Sequence, residues 1–175
     1  MADPTVTDVV AYSQGRLEED ARTTALLAGS LAAARTYCGW HVIGEKTESI
    51  TVNGPGTNLL VLPTTRLAEI TALSELGTAL DLTRIEWSTR GHVMKAGRSC
   101  WTSRLRGITA TIKHGYEDAP DFNAAVLAIV DRIGCGGDGE SVGPFKFPTL
   151  PHAVGSMFSD MEKAILDAYR LEPAP

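Results

Sequence analysis

Cysteine is scarce in this chain, aromatic residues make up only 6% of it, and no long apolar run occurs. Each shortage excludes something. Three widely spaced cysteines, Cys38, Cys100 and Cys135, are odd in number and form no disulfide framework, which fits reduced thiols in a reducing compartment. No apolar stretch approaches the roughly 18–20 residues that span a bilayer, so no membrane contact is expected. The start, MADPTVTDVVAY, lacks a basic region followed by an apolar core. No secretory signal is therefore expected, and a cytoplasmic origin is. Basic residues are outnumbered, 16 against 21 acidic, and the net charge of −5 argues against nucleic-acid binding by bulk electrostatics. What remains is ordinary: 175 residues, 43% apolar, enough for one domain with a real core and some peripheral segments.

Reactive constellations are also missing. The histidines His41, His92, His114 and His152 form no paired metal spacing, and Cys38 and His41, though three apart, have no second pair. No metal site is expected. Gly134, Gly136, Gly137 and Gly139 are dense, but they follow a helix and no Gly-Lys-Ser/Thr closes them, so they read as linker. A Gly-x-Ser-x-Gly elbow does not occur. His114, Glu117, Asp118 and Asp121 lie close enough in sequence for acid–base work, yet helix-start charge and turn formation account for them more simply. Arg98, Arg104 and Arg106 flank Trp101, a pattern that tracks a nucleic-acid backbone in some proteins. The alternative is a solvated hairpin rim, and the acidic balance favours it. No catalytic residue and no cofactor are expected.

The pattern that is present is architectural. Along Gly107–Gly134, GITATIKHGYEDAPDFNAAVLAIVDRIG, Ile108, Ala110 and Ile112 alternate with Thr109, Thr111 and Lys113, the period of a half-buried strand. Pro120 can open a helix, Asp118 and Asp121 suit its N-terminal charge, and Gly134 offers a stop. Phe122, Ala125, Val126, Ile129 and Ile133 recur at helical spacing, predicting a helix over 121–133. Upstream, Thr7 and Asp8 predict a capped helix over 8–14. A longer helix follows over 17–38, with Leu17, Ala21, Thr24, Leu27, Leu31, Ala34 and Cys38 as one stripe. From 47 to 114 short strands alternate with turns: 47–53, 59–62, 67–76, 84–88, 92–95 and 107–114. Asn53-Gly54-Pro55-Gly56 is turn chemistry, and the spacing of the set predicts an antiparallel sheet or sandwich. Residues 134–143 read as flexible linker and 144–151 as extended. A final helix is predicted over 156–171, with Ser159 and Glu162 at capping-box spacing and Phe158, Met161, Ile165, Ala168 and Tyr169 as its apolar face. A helix so short must cover that face on its own body or on a partner.

The class is therefore α+β: a helical body, an antiparallel β insertion, and an extended C-terminal tail ending in a helix. Its parts are a body over 1–134, a linker arm over 135–155 and a docking helix over 156–175. In order, the pieces ARTYCGWHV, VNGPGTNLLVLPTTRLAEITAL, IEWSTRGHV, TIKHGYEDAPDFNAAVLAIVDRIG, ESVGPFKF and MEKAILDAYRL resemble the head–tail connector (adaptor, or head-completion) proteins of long-tailed bacteriophages. The resemblance runs from about residue 7 to 171. It implies a structural subunit of the virion neck, assembled in the host cytoplasm into a ring, usually twelvefold, under the portal. Such a ring extends the DNA channel, lets genomic DNA pass without specific binding, and docks the next neck or tail component. It also implies that Phe145, Phe147, Phe158, Met161, Ile165 and Tyr169 engage the portal. An acidic chain suits a DNA conduit, since it repels phosphate. Other neck components, a stopper or a tail terminator, are the nearest alternatives; a small DNA-binding regulatory protein is a more distant one.

Overall fold

Helices begin here where a side chain satisfies the first free amide groups. The computed structural model describes residues 3–135, 141–142, 145–146 and 158–171, the two short pairs by backbone alone. Helix α1, Val6–Tyr12, is capped by Thr5: its hydroxyl accepts from the Asp8 N–H while the Asp8 carboxylate accepts from the Thr5 N–H. The cap expected at Thr7 and Asp8 is corrected by this reciprocal pair, which starts the helix earlier. Helix α2, Ala21–Cys38, starts later than the expected residue 17. Asp20 accepts from the Thr23 N–H at 2.7 Å and so fixes the boundary, while the Leu17 N–H donates to Ser13 Oγ in the preceding turn.

The chain divides into two compact units, Met1–Cys38 with Ala119–Tyr169, and Gly39–Asp118 with Arg170–Pro175. The first unit is helical. Its α3, Pro120–Cys135, opens on the expected proline and buries Phe122, Asn123, Ala125, Val126, Ile129 and Val130. Ile133, expected on that stripe, is exposed. Gly134 does not stop the helix. A Cβ there would sit 2.9 Å from both Leu17 methyl groups, so the missing side chain admits Leu17. Helix α2 packs on α3 and buries Thr23, Leu27, Ser30, Ala34 and Cys38. The expected stripe shares only Leu27, Ala34 and Cys38 with this face. Thr23 and Ser30 are small enough for a helix contact but polar, so hydrophobic spacing alone points aside from them. Arg16 to Asp131 (2.8 Å) and Arg35 to Asp3 (2.7 Å) bridge segments of this unit at its surface. Helix α4, Asp160–Asp167, completes it. That helix is shorter than the expected 156–171, because Ser159 caps it and Ala168 ends it; residues 156 and 157 lie outside the described residues.

The second unit holds two antiparallel sheets. One has the order β1 (Lys46–Val52), β7 (Ile108–His114), β3 (Leu67–Glu75), β4 (Thr78–Ala79); the other runs β2 (Leu59–Val61), β6 (His92–Lys95), β5 (Ile85–Trp87). Central β7 alternates as expected, with Ile108, Ala110, Ile112 and His114 buried. Its neighbour β3 buries Leu67, Ile70 and Leu73, every third residue, and two register shifts against β7 explain that departure from period two. With Leu60, Leu62, Val93 and Trp101 these residues make one core. The Asn53–Gly56 turn is tied down by the Gly54 N–H on the Arg104 carbonyl and the Gly56 N–H on the Thr102 carbonyl.

Two-residue ladders are the elements that sequence periodicity does not signal. The strand β4 is one, and β8 (Ser141–Val142) with β9 (Phe145–Lys146) is another, falling where flexible and extended chain was expected. Two residues are too few to display alternation. No helix of the described residues is long and apolar enough to cross a membrane.

Candidate functional site

Helix α4 is amphipathic in a way that splits the residues expected to dock. Its capping box is complete: Ser159 Oγ accepts from the Glu162 N–H at 3.3 Å, and Glu162 Oε2 accepts from the Ser159 N–H at 2.7 Å. Glu162 and Leu166 are buried, and Tyr169, in the turn beyond the helix, is buried with them. Positions 162, 166 and 169 share one helical face. Arg132 of α3 clasps the Glu162 carboxylate with Nε at 3.1 Å and Nη2 at 2.9 Å. Burial alone would raise the Glu162 pKa, but Arg132 and the Ser159 amide outweigh it and hold the group below the ordinary carboxylate value. The Tyr169 ring meets Phe122 edge-on at 5.7 Å and its hydroxyl donates to Asp121. Tyr37 donates to Asp167 at 2.7 Å, and its ring meets Phe158 at 5.4 Å.

The opposite side of α4 carries a different set. Met161 is 80% exposed, Ala164 and Ala168 are exposed, and Ile165 is half-buried. Their spacing, i, i+3, i+4 and i+7, draws one apolar stripe facing outward. Of the residues expected to dock, Met161 and Ile165 lie on this stripe, while Tyr169 faces inward and Phe158 rests on Tyr37. Phe145 lies in β9, described by its backbone alone, and Phe147 lies outside the described residues.

The arginine-flanked tryptophan is also sorted. Trp101 is 2% exposed and belongs to the core of the second unit, so it offers no face on which a base could stack. Lys95 Nζ lies 4.5 Å from the ring centre and pairs with Glu75 at 2.6 Å, and Glu75 accepts from the Thr102 N–H. The segment carrying the arginines is thus anchored through its aromatic residue.

A cluster invisible to local spacing forms in the second unit. Pairing of β1 with β7 sets Lys46 opposite His114, and His114 Nε2 donates to Glu48 Oε1 at 2.8 Å. His114 therefore meets a carboxylate from across the sheet, a partner that the sequence reading did not name. His41 stands edge-on to His114 with ring centres 4.6 Å apart, and Trp40 stacks on His114 at 5.9 Å. Burial pulls both imidazole pKa values below the ordinary histidine value and keeps both rings neutral near pH 7. Glu48 is held ionised chiefly by Lys46, whose Nζ lies 2.9 Å from Oε2. One donor atom each from His41, Glu48 and His114 lies within 4.8 Å of the other two. The signal that could have revealed the cluster is strand register, which sequence patterns do not fix between residues 66 apart.

No family profile matches the sequence, and no curated protein matches it. Solved structures do. Over 100% of its length the chain matches a chain from the neck of an empty GTA particle computed with C6 symmetry, covering 95% of that chain with a TM-score of 0.64 at 15% identity. The chain has the fold of a virion neck protein. A chain from the neck of a native GTA particle computed with C12 symmetry matches with a TM-score of 0.58 at 16% identity, over 100% of this chain and 94% of that one. A third match, from the virion of a native gene transfer agent (GTA) particle, has a TM-score of 0.57 at 16% identity, covering 100% and 95%. The resemblance to head–tail connectors drawn from the ordered sequence pieces thus holds in the neck fold, and so does the α+β class.

Proposed function

We propose that this chain is a structural, non-catalytic subunit of a virion neck, and specifically the head–tail adaptor that forms a twelvefold ring under the portal. The observation that carries the reading is a fold match running the full length of the chain to neck proteins of particles described with C6 and C12 symmetry. A ring subunit needs unlike surfaces that complement each other head-to-tail and a rotation that closes. Partner contact falls to the outward stripe of α4, with Met161, Ala164, Ile165 and Ala168 set on a helix that its inner face anchors to the body. Phe145 and Phe147, just upstream, extend the same contact to the portal. The surplus of acidic over basic residues suits a conduit through which DNA passes without sticking.

The test is an image of the intact particle neck in which this chain is located. Density for it between portal and tail, in a closed ring, is the expected result; its presence elsewhere in the particle refutes the assignment. The docking face is tested separately with Met161→Asp combined with Ala164→Asp. Loss of portal binding at an unchanged unfolding temperature is expected, and unchanged binding removes this face from the contact. Point variants suit this better than deletion of 140–175, which also strips Leu166 and Tyr169 from the first unit and exposes Phe122.

A further inference from the structure

We propose that His41, Glu48 and His114 bind one divalent metal ion of the zinc type, which clips the His41 turn to the sheet of the second unit. Two imidazoles and a carboxylate are a zinc donor set, with a water able to complete four-coordination. Around tetrahedral zinc at ~2.0–2.2 Å, ligand atoms stand roughly 3.4 Å apart. The donors now lie within 4.8 Å of one another, so side-chain torsions moving each donor by about an ångström close the set.

The strained turn at Val42 and the glycine at 115 favour a bound ion over a plain hydrogen-bonded cluster. His114 is 2% exposed, and its Nδ1 has no hydrogen-bond partner. An ion shared with Glu48 would take Nε2, the nitrogen on that side of the ring, and the ring proton would then sit on Nδ1. The approach of His41 is also built at a cost. Val42, buried and β-branched, has φ of 60°, because the Ile43 N–H closes a tight turn onto the His41 carbonyl at 2.8 Å. That turn is pinned from both sides of Ile43, by the Tyr116 N–H on the Val42 carbonyl and the Gly44 N–H on the Tyr116 carbonyl. Gly115 makes the remaining room, since a Cβ there would stand 2.5 Å from the Gly44 carbonyl oxygen and 2.7 Å from His41 Nε2. Strain of this kind persists where surrounding structure imposes it, and what it imposes here is the meeting of two rings. Opposing the ion are three contacts: Lys46 on Glu48 Oε2, which can stay in place, and the bonds of His114 Nε2 to Glu48 Oε1 and of His41 Nε2 to the Gly44 carbonyl at 3.0 Å, which metal binding would have to replace or bypass.

The experiment uses the full chain stripped with EDTA, titrated with ZnCl2 by calorimetry and with Co2+ by its d–d absorbance. Binding of one equivalent per chain is expected, with zinc raising the unfolding temperature. His41→Gln and Glu48→Gln, both at residues that are not fully buried, should each weaken binding by more than the ~10–100-fold that losing an outer-shell partner costs. Both variants should keep one cooperative unfolding transition in EDTA, which separates a lost ligand from a lost fold. Absence of saturable binding overturns the proposal. So does binding of full strength in either variant, which would put the ion elsewhere, for instance on Cys100.

Discussion

Replacing Arg132 by Leu should loosen α4 from the first unit by a calculable amount. The Glu162 side chain is only 8% exposed, and its carboxylate receives three donors: Arg132 Nε at 3.1 Å, Arg132 Nη2 at 2.9 Å and the Ser159 N–H at 2.7 Å. The substitution leaves a buried carboxylate with the Ser159 amide. Breaking a buried pair from one side costs ~3–5 kcal/mol, and because Arg132 itself is 24% exposed, screening reduces the expectation to about 2–3 kcal/mol. All four α-helices of the described residues belong to the first unit, so urea unfolding followed by helical circular dichroism reports on it. The pH dependence is a second check. The folded-state pKa of Glu162 lies below its ordinary 4.5, so the pair's contribution is present above pH 4.5 and lost as pH falls through the depressed value. Arg132→Leu should therefore cost its full amount at pH 7 and much less in acid. Glu162→Met combined with Arg132→Leu should recover most of the loss, and with the Glu162→Met single variant the double-mutant cycle isolates the pair from other contacts of Arg132. A cost under ~0.5 kcal/mol at pH 7, or one equal at pH 7 and pH 3, refutes the reasoning.

Four other outcomes follow from packing. Trp101→Phe should cost no more than ~1 kcal/mol in urea unfolding, because lost area and the Lys95 contact are offset by removal of an indole N–H buried without a partner, whereas Trp101→Ala should cost ~3–5 kcal/mol. The glycines diverge: Gly134→Ala meets only the movable ends of Leu17 and Leu26 and gains ~1 kcal/mol of helix propensity, so it should be near neutral. Gly54→Ala would drive a Cβ to 2.0 Å from the Thr102 carbonyl oxygen and should lower the melting temperature of the second unit clearly.

What sequence could and could not reveal follows from how far each interaction reaches. The alternation of β7, the proline opening α3 and the Ser159–Glu162 box are local, and all three stand in the structure. Hydropathy does not find the α2 face, because Thr23 and Ser30 are buried polar residues that fall outside an apolar stripe. Likewise the inner and outer faces of α4 could not be told apart, since both carry apolar residues and only the Arg132–Glu162 pair chooses between them. A charged residue anchors the inner face, against the usual pattern. The His41–Glu48–His114 cluster depends on β1 pairing with β7 and on a strained turn, and neither leaves a mark at short range.

The first unit is discontinuous: α1 and α2 lie at one end of the chain, and α3 and α4 beyond the second unit's strands. During synthesis, then, the ribosome releases α2 with its buried face uncovered and no α3 to receive it. The intervening Gly39–Asp118 segment can pair its own strands in that interval, apart from the few C-terminal residues that join it later. Once it has done so, the loop separating Cys38 from Ala119 is no longer a slack chain but a folded body, and closing α2 onto α3 costs less entropy than the sequence separation suggests. Slowing β-strand pairing should therefore leave α2 uncovered for longer and raise aggregation during refolding, read by light scattering.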